Sequence, residues 1–230
     1  MIEKTLKTKA GKIQVRIPTV IGEITLGQMM AMQERRFPDE LDTISILSGI
    51  PKEELPHGIN FGELQVVCNY MHSLSQQVIY LYNGDIIAQK VVFMLDGHKV
   101  AVNVVRNLSI EPAGAFIAAR NIIADEINEH IHLYGEDDWK AHFQPSLASC
   151  CHLLAHYFFC RATGEPYDEE KATEFCKEVK KLRVTEALPI ARYFFSAYPD
   201  LLQQRTGFLN QLRHYWRLKT VNRRLEKINS

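Results

Sequence analysis

His152, His156 and Cys160 are the side chains with the clearest chemical potential. They fall at i, i+4 and i+8, so a helix turns all three to one side. Two imidazoles one turn apart can share a divalent metal, and a thiolate is a soft third ligand. The neighbours argue the other way. A catalytic zincin helix carries Glu directly after its first His, and Leu153 stands there. No Cys-x-x-Cys pair supports a structural zinc site. The plainer expectation is that these residues pack or hydrogen-bond among Leu153, Leu154, Phe158 and Phe159, with no metal and no cofactor.

Glu129-His130-Ile131-His132 is a second cluster. His130 and His132 point to different helix faces and do not converge on one ion. An imidazole near a helix C-terminus instead interacts well with the macrodipole. Glu136-Asp137-Asp138 lacks the alternating spacing of a calcium loop and reads as a solvated loop or helix start. Cys150-Cys151 lacks the spacer of an exchange motif. The chain has no Gly-x-Ser-x-Gly, P-loop or Gly-x-Gly-x-x-Gly. These readings identify no catalytic residues, and the chain is not expected to be an enzyme.

Residues 205–230 are the most basic stretch: seven Lys or Arg against Glu226, a net of +6 in a chain of net charge zero, so the remainder carries −6. Tyr215 and Trp216 lie among Arg213, Arg217, Arg223 and Arg224. Such a mixture grips an acidic patch on a protein, since Arg and aromatic residues favour interface cores. It also suits phosphates and stacked bases. Leu209, Leu212, Trp216 and Leu225 offer a seam to a partner helix. These six basic and aromatic residues are the candidate partner-binding set. Opposite charges at separate places suit head-to-tail contact between identical subunits.

The elements that position these residues follow from periodicity. Residues 4–18 read as two strands around Ala10-Gly11, with Ile13, Val15 and Ile17 alternating against polar neighbours. Thr25 and Gln28 have capping-box spacing and open a helix to about Arg36. A second helix covers Glu40–Ser48 and stops at Gly49. Another opens at Asn60-Phe61-Gly62-Glu63. The β-branched and aromatic stretch over 78–105, punctuated by Asn83-Gly84 and Asp96-Gly97, predicts a meander whose firmest part is the second hairpin. A helix then runs from Pro112 to Leu133 and ends at Gly135. Beyond it the chain reads as helices over 146–162, 168–182, 185–198 and 206–227, with Pro189 acceptable only in a first turn. Ile24-Thr25-Leu26-Gly27 and Leu108-Ser109-Ile110-Glu111 echo each other, each following strand-like sequence. The expected class is α+β: a 1–135 mixed assembly region with a small β-meander and hairpins, and a 136–230 helical region.

At 230 residues the chain can bury a sizeable core, and 46% hydrophobic with 23% charged residues is ordinary for a globular protein. Five cysteines in irregular spacing fit a reducing compartment. The N-terminus lacks the apolar run of a signal peptide, and charges break every apolar stretch well short of a span. A soluble, cytoplasmically made protein without a membrane is expected.

Glu23-Ile24-Thr25-Leu26-Gly27-Gln28-Met29-Met30, then Ile44-Ser45-Ile46-Leu47-Ser48-Gly49-Ile50, then the Asp96-Gly97 hairpin and its following helix carry a resemblance. Over about residues 18–135 the chain resembles small structural proteins of tailed bacteriophages, particularly crAss-like and related Bacteroides phages. The resemblance implies a virion protein of the neck or tail that forms a homo-oligomeric ring in the head-to-tail connector or tail. The ring would be twelvefold where it matches a portal, with the portal or other connector and tail proteins as partners. Contact with packaged DNA is a further implication of the basic segment. The same opening motif serves equally a tail-assembly chaperone absent from the mature particle.

Overall fold

The structure is a computed structural model that describes residues 2–8, 11–35, 39–55, 69, 73–74, 77 and 86–197. It is α+β, with two antiparallel hairpins in the N-terminal part and a helical C-terminal part. β1 (Ile2–Thr8) pairs with β2 (Gly11–Ile17), and Val15 and Ile17 turn inward from the second strand. A 3-10 turn, Ile21–Glu23, leads to α1 (Leu26–Glu34), which the Thr25–Gln28 capping box opens as its spacing predicts. α2 (Glu40–Ser48) opens on an Asp39–Asp42 box and ends at Gly49. Lys52 bonds Asp39 at 2.6 Å and Asp42 at 3.0 Å, and these bonds hold both carboxyls below their ordinary range. Arg35 also bonds Asp42, tying the end of α1 to α2.

β3 (Lys90–Leu95) and β4 (His98–Asn103) form the hairpin expected at Asp96-Gly97. Asp96 and Gly97 have φ of 49° and 79°, the double left-handed geometry of a type I′ turn, and Gly enters it without a Cβ penalty. From Ile86 to the start of β3 the described residues add no strand to this hairpin. Ile86–Ala88 is irregular, and Ile86 is 88% exposed, so no sheet face buries it. Residues 78–85 lie outside the described residues. Of the stretch after Asn60, the described Asn69, Ser73, Leu74 and Gln77 are helical.

Leu108–Ile110 forms another 3-10 turn, followed by α3 (Ala113–Tyr134). The two halves of the expected echo therefore differ locally: Thr25 caps a helix, whereas Ser109 lies inside a turn. What repeats is the order hairpin, 3-10 turn, helix. α4 (Trp139–His142) is short, and α5 (Leu147–Thr163) forms the centre of the molecule. The expected 168–182 helix is instead two pieces, α6 (Glu169–Glu174) and α7 (Cys176–Val179), separated at Phe175. Phe175 buries its ring against Phe93 and Phe159, and beyond α7 the carbonyls of Lys180 and Leu182 accept bonds from α1, so the chain leaves the helical path.

α8 (Val184–Ala197) contains Pro189 in its interior, not in its first turn. Proline there supplies no N–H to the carbonyl four residues back, so burial must offset the lost bond. Pro189 is itself buried, beside Leu188 and Ile190 on a helix that packs against α5. The expected 206–227 helix lies outside the described residues. One apolar cluster runs from Val15 to Phe195 and spans the composition change at Gly135. Among the described residues no helix is long and apolar enough to cross a membrane.

Candidate functional site

α5 carries every residue of the first histidine–cysteine constellation, and its sequence explains why it sits at the centre. Ser146 caps it, its hydroxyl accepting from Ser149 N–H at 3.1 Å. Leu153, Leu154, Ala155, Tyr157 and Phe158 are at most 1% exposed, so nearly the whole circumference is covered. Such a helix is apolar all round because it is packed on all sides. α3 and α8 flank it, α6 and α7 cross one side, and α1 and β4 complete the enclosure.

The i, i+4, i+8 alignment does not bring the three side chains together on one ligand. His156 is buried, with Nδ1 3.0 Å from the Tyr167 hydroxyl. His152 is exposed, with Nδ1 3.5 Å from Cys176 Sγ. Cys160 lies half-buried a turn beyond. The two imidazoles take different partners, and among the described residues no group of three His, Cys, Asp or Glu side chains is arranged to hold a metal ion. Burial and the neighbouring His152 depress the His156 imidazole below its usual value, against a smaller opposing pull from Glu169. Burial pushes the Tyr167 hydroxyl up to about 12. Gly114 makes room for that contact: a Cβ there would lie 2.5 Å from the Tyr167 ring.

His130 is likewise committed. Its Nδ1 donates to the Glu126 carbonyl at 2.9 Å and its Nε2 accepts from Gln144 N–H at 3.4 Å, which assigns the tautomer. Its ring meets Phe143 edge-on. The buried Glu126 carboxylate accepts from Ser146 N–H at 2.6 Å and Ser146 hydroxyl at 3.1 Å, placing a negative charge where α5 begins. Glu136-Asp137-Asp138 is an exposed turn leading into α4.

Two features escape a linear reading. The first is a thiol pair: Cys151 lies against Cys176, its S–H directed at the Cys176 carbonyl oxygen at 3.8 Å. The only sequence hint is that Cys151 and His152 are adjacent, so one turn of α5 can present both across its edge. The second is β3, apolar on both faces. Val91 and Phe93 are buried at 1% and 2%, while Val92 and Met94 face outward at 50% and 48%. Val92 stands opposite Ala101 and Met94 opposite Lys99, and among the described residues this sheet has only two strands. The four consecutive apolar residues Val91-Val92-Phe93-Met94 are its sequence signal.

The candidate partner-binding residues Arg213, Tyr215, Trp216, Arg217, Arg223 and Arg224 lie outside the described residues. Comparison with protein-family models, curated proteins and solved structures finds no match to this chain.

Proposed function

We propose that this chain is a structural virion protein of a tailed bacteriophage, assembled as a homo-oligomeric ring in the head-to-tail connector or tail and acting by geometry, without catalysis. The observation that carries the assembly role is the outward row of β3. A soluble two-stranded ribbon ordinarily alternates apolar-in with polar-out. Here Val92 and Met94 put apolar side chains on the second face, beside backbone edges that no further strand covers among the described residues and that another chain can extend. The commitment of His130 and His156 to internal partners supports the non-catalytic part of the reading. The phage assignment itself rests on the sequence resemblance over residues 18–135.

A heterologous contact repeated about an axis closes a ring, and the +6 segment at 205–230 meeting a −6 remainder supplies the electrostatic half of such a contact. Portal, connector or tail proteins are the neighbours along the axis, and packaged DNA is a further contact for the basic segment. The same β3 face suits the second reading, a tail-assembly chaperone that binds tail proteins and leaves before completion.

Light scattering on the full chain tests the ring: a higher-order mass is expected, reduced by Val92→Lys with Met94→Lys. A monomer at every concentration, together with absence from purified particles, overturns it. Mass spectrometry of those particles separates virion component from chaperone, because only the former remains.

A further inference from the structure

We propose that Cys176 and Cys151 form a peroxide-responsive thiol pair, in which Cys176 is the attacking thiol, His152 its proton partner and Cys151 the resolving thiol that closes a disulfide between α7 and α5. The placement of the three groups carries this. Cys176 opens α7 at the break after Phe175 and is half-buried, so a small oxidant reaches it. His152 Nδ1 lies 3.5 Å from its sulfur and is exposed, so the imidazole can exchange protons with water. Cys151 is 1% exposed and lies beside Cys176, its S–H directed at the Cys176 carbonyl oxygen at 3.8 Å. One thiol is thus partly exposed beside a base, and the second is sheltered next to the first.

The electrostatics agree with these roles. The Cys151 hydrogen bond holds the Cys176 thiol below its ordinary value against the cost of burial, and Lys180, one turn along, adds to the effect. The same hydrogen bond holds Cys151 in its protonated form, and burial adds to this. Cys150, next in sequence, is pushed up chiefly by burial, and the nearby Glu126 adds to it. Cys160 is also raised by burial. Reactive thiols are those whose proton is held less tightly than usual and that solvent can reach, and among the described cysteines Cys176 combines the two.

The chemistry balances with a peroxide as oxidant. Cys176 gives its proton to His152, and the thiolate attacks one oxygen of hydrogen peroxide. The O–O bond breaks, and the departing hydroxide takes the proton from His152 to leave as water. Cys176 is then a sulfenic acid. With the thiolate gone, the interaction that kept the proton on Cys151 is gone as well. Cys151 sulfur attacks Cys176 sulfur, the S–O bond breaks, and hydroxide leaves with the Cys151 proton as a second water. Two thiols have been oxidised to a disulfide, and one peroxide reduced to two waters. The bond ties α7 to the central helix, and α7 lies beside β3 while the carbonyls just after it accept from the start of α1, so oxidation locks the wall behind the outward β3 face.

The full-length chain, treated with hydrogen peroxide and digested without reductant, tests this. A Cys151–Cys176 linked peptide is expected in the wild type. In Cys151→Ala the reaction stops at sulfenic acid, and dimedone labels Cys176. Iodoacetamide is expected to modify Cys176 about tenfold faster than Cys160 near neutral pH, with the advantage reduced in His152→Phe, which removes the proton partner. A peptide map in which Cys176 stays reduced, pairs with another cysteine, or alkylates no faster than Cys160 overturns the proposal. The wild-type map requires no substitution, so it decides the matter even if Cys151→Ala does not fold.

Discussion

Gly27 donates its backbone N–H to the carbonyl of Lys180 at 2.8 Å, joining the first turn of α1 to the end of α7. Every donor at this helix start is thereby satisfied. Thr25 and Gln28 exchange side-chain bonds at 2.9 and 3.1 Å, and Leu26 N–H reaches Leu182 carbonyl at 2.9 Å. The free N–H groups at the start of one helix thus find their acceptors just beyond the end of another. A Cβ at position 27 would lie 3.0 Å from Lys180 Cβ and 3.1 Å from its carbonyl oxygen. In an open helix Gly→Ala stabilises by about 1 kcal/mol. Here Gly27→Ala is expected to destabilise by about 1–3 kcal/mol, because the two backbones must part. Urea denaturation reads the sign, and a gain in stability would refute the close approach.

Tyr157 supports a second joint between distant segments. Its hydroxyl accepts from Val105 N–H at 2.7 Å and donates to Val105 carbonyl at 2.8 Å. Tyr157→Phe keeps the ring beneath Arg161 and removes both bonds, leaving two backbone groups unpaired. The expected loss is about 1–3 kcal/mol. An unchanged midpoint in denaturant would mean that water satisfies Val105 in the variant.

Arg161 pairs with Glu111 through Nε at 2.7 Å, with the Glu111 side chain 4% exposed and that of Arg161 20% exposed. Glu111→Ala strands the guanidinium. Removal of one partner from a fully buried pair costs about 3–5 kcal/mol, and partial access of water to Arg161 brings the expected loss to about 2–3 kcal/mol. A double-mutant cycle with Arg161→Met isolates the pair, and a coupling near zero would show the two residues to act independently.

His156 makes stability depend on pH. Its folded-state proton affinity lies below the unfolded value of 6.5, through burial first and the neighbouring His152 second, with Glu169 opposing. As pH falls past 6.5 the unfolded chain takes up the proton first. The contribution is therefore complete above that pH, declines below it, and levels once the folded imidazole also titrates. Denaturation curves from about pH 7.5 to about pH 5 should show this decline in the wild type and a shallower one in His156→Gln. Parallel pH profiles for the two proteins would remove His156 from the account.

Local rules were enough for much of this architecture. Thr25 and Gln28 stand three residues apart, Asp96-Gly97 lies between alternating apolar runs, and Gly49 and Gly135 close their helices. Caps and tight turns are made by residues near one another in sequence, so their spacing is itself the signal. The failures came where distant partners intervene. Phe175 looks like one more apolar position in a helix until Phe93 and Phe159 enclose it, and Pro189 looks like a helix-opening residue until burial holds it in the interior of α8.

The site divides in the same way. Sequence placed His152, His156 and Cys160 on one face of one helix, since the 3.6-residue period alone determines that. It had no means of saying that His156 meets Tyr167, that His152 meets Cys176, or that Cys151 turns to Cys176 and not to Cys150. Those choices were made by packing. α6 and α7 cross α5 at angles and distances set by buried side chains from every part of the chain, and a thiol or imidazole takes the partner that this packing brings within reach.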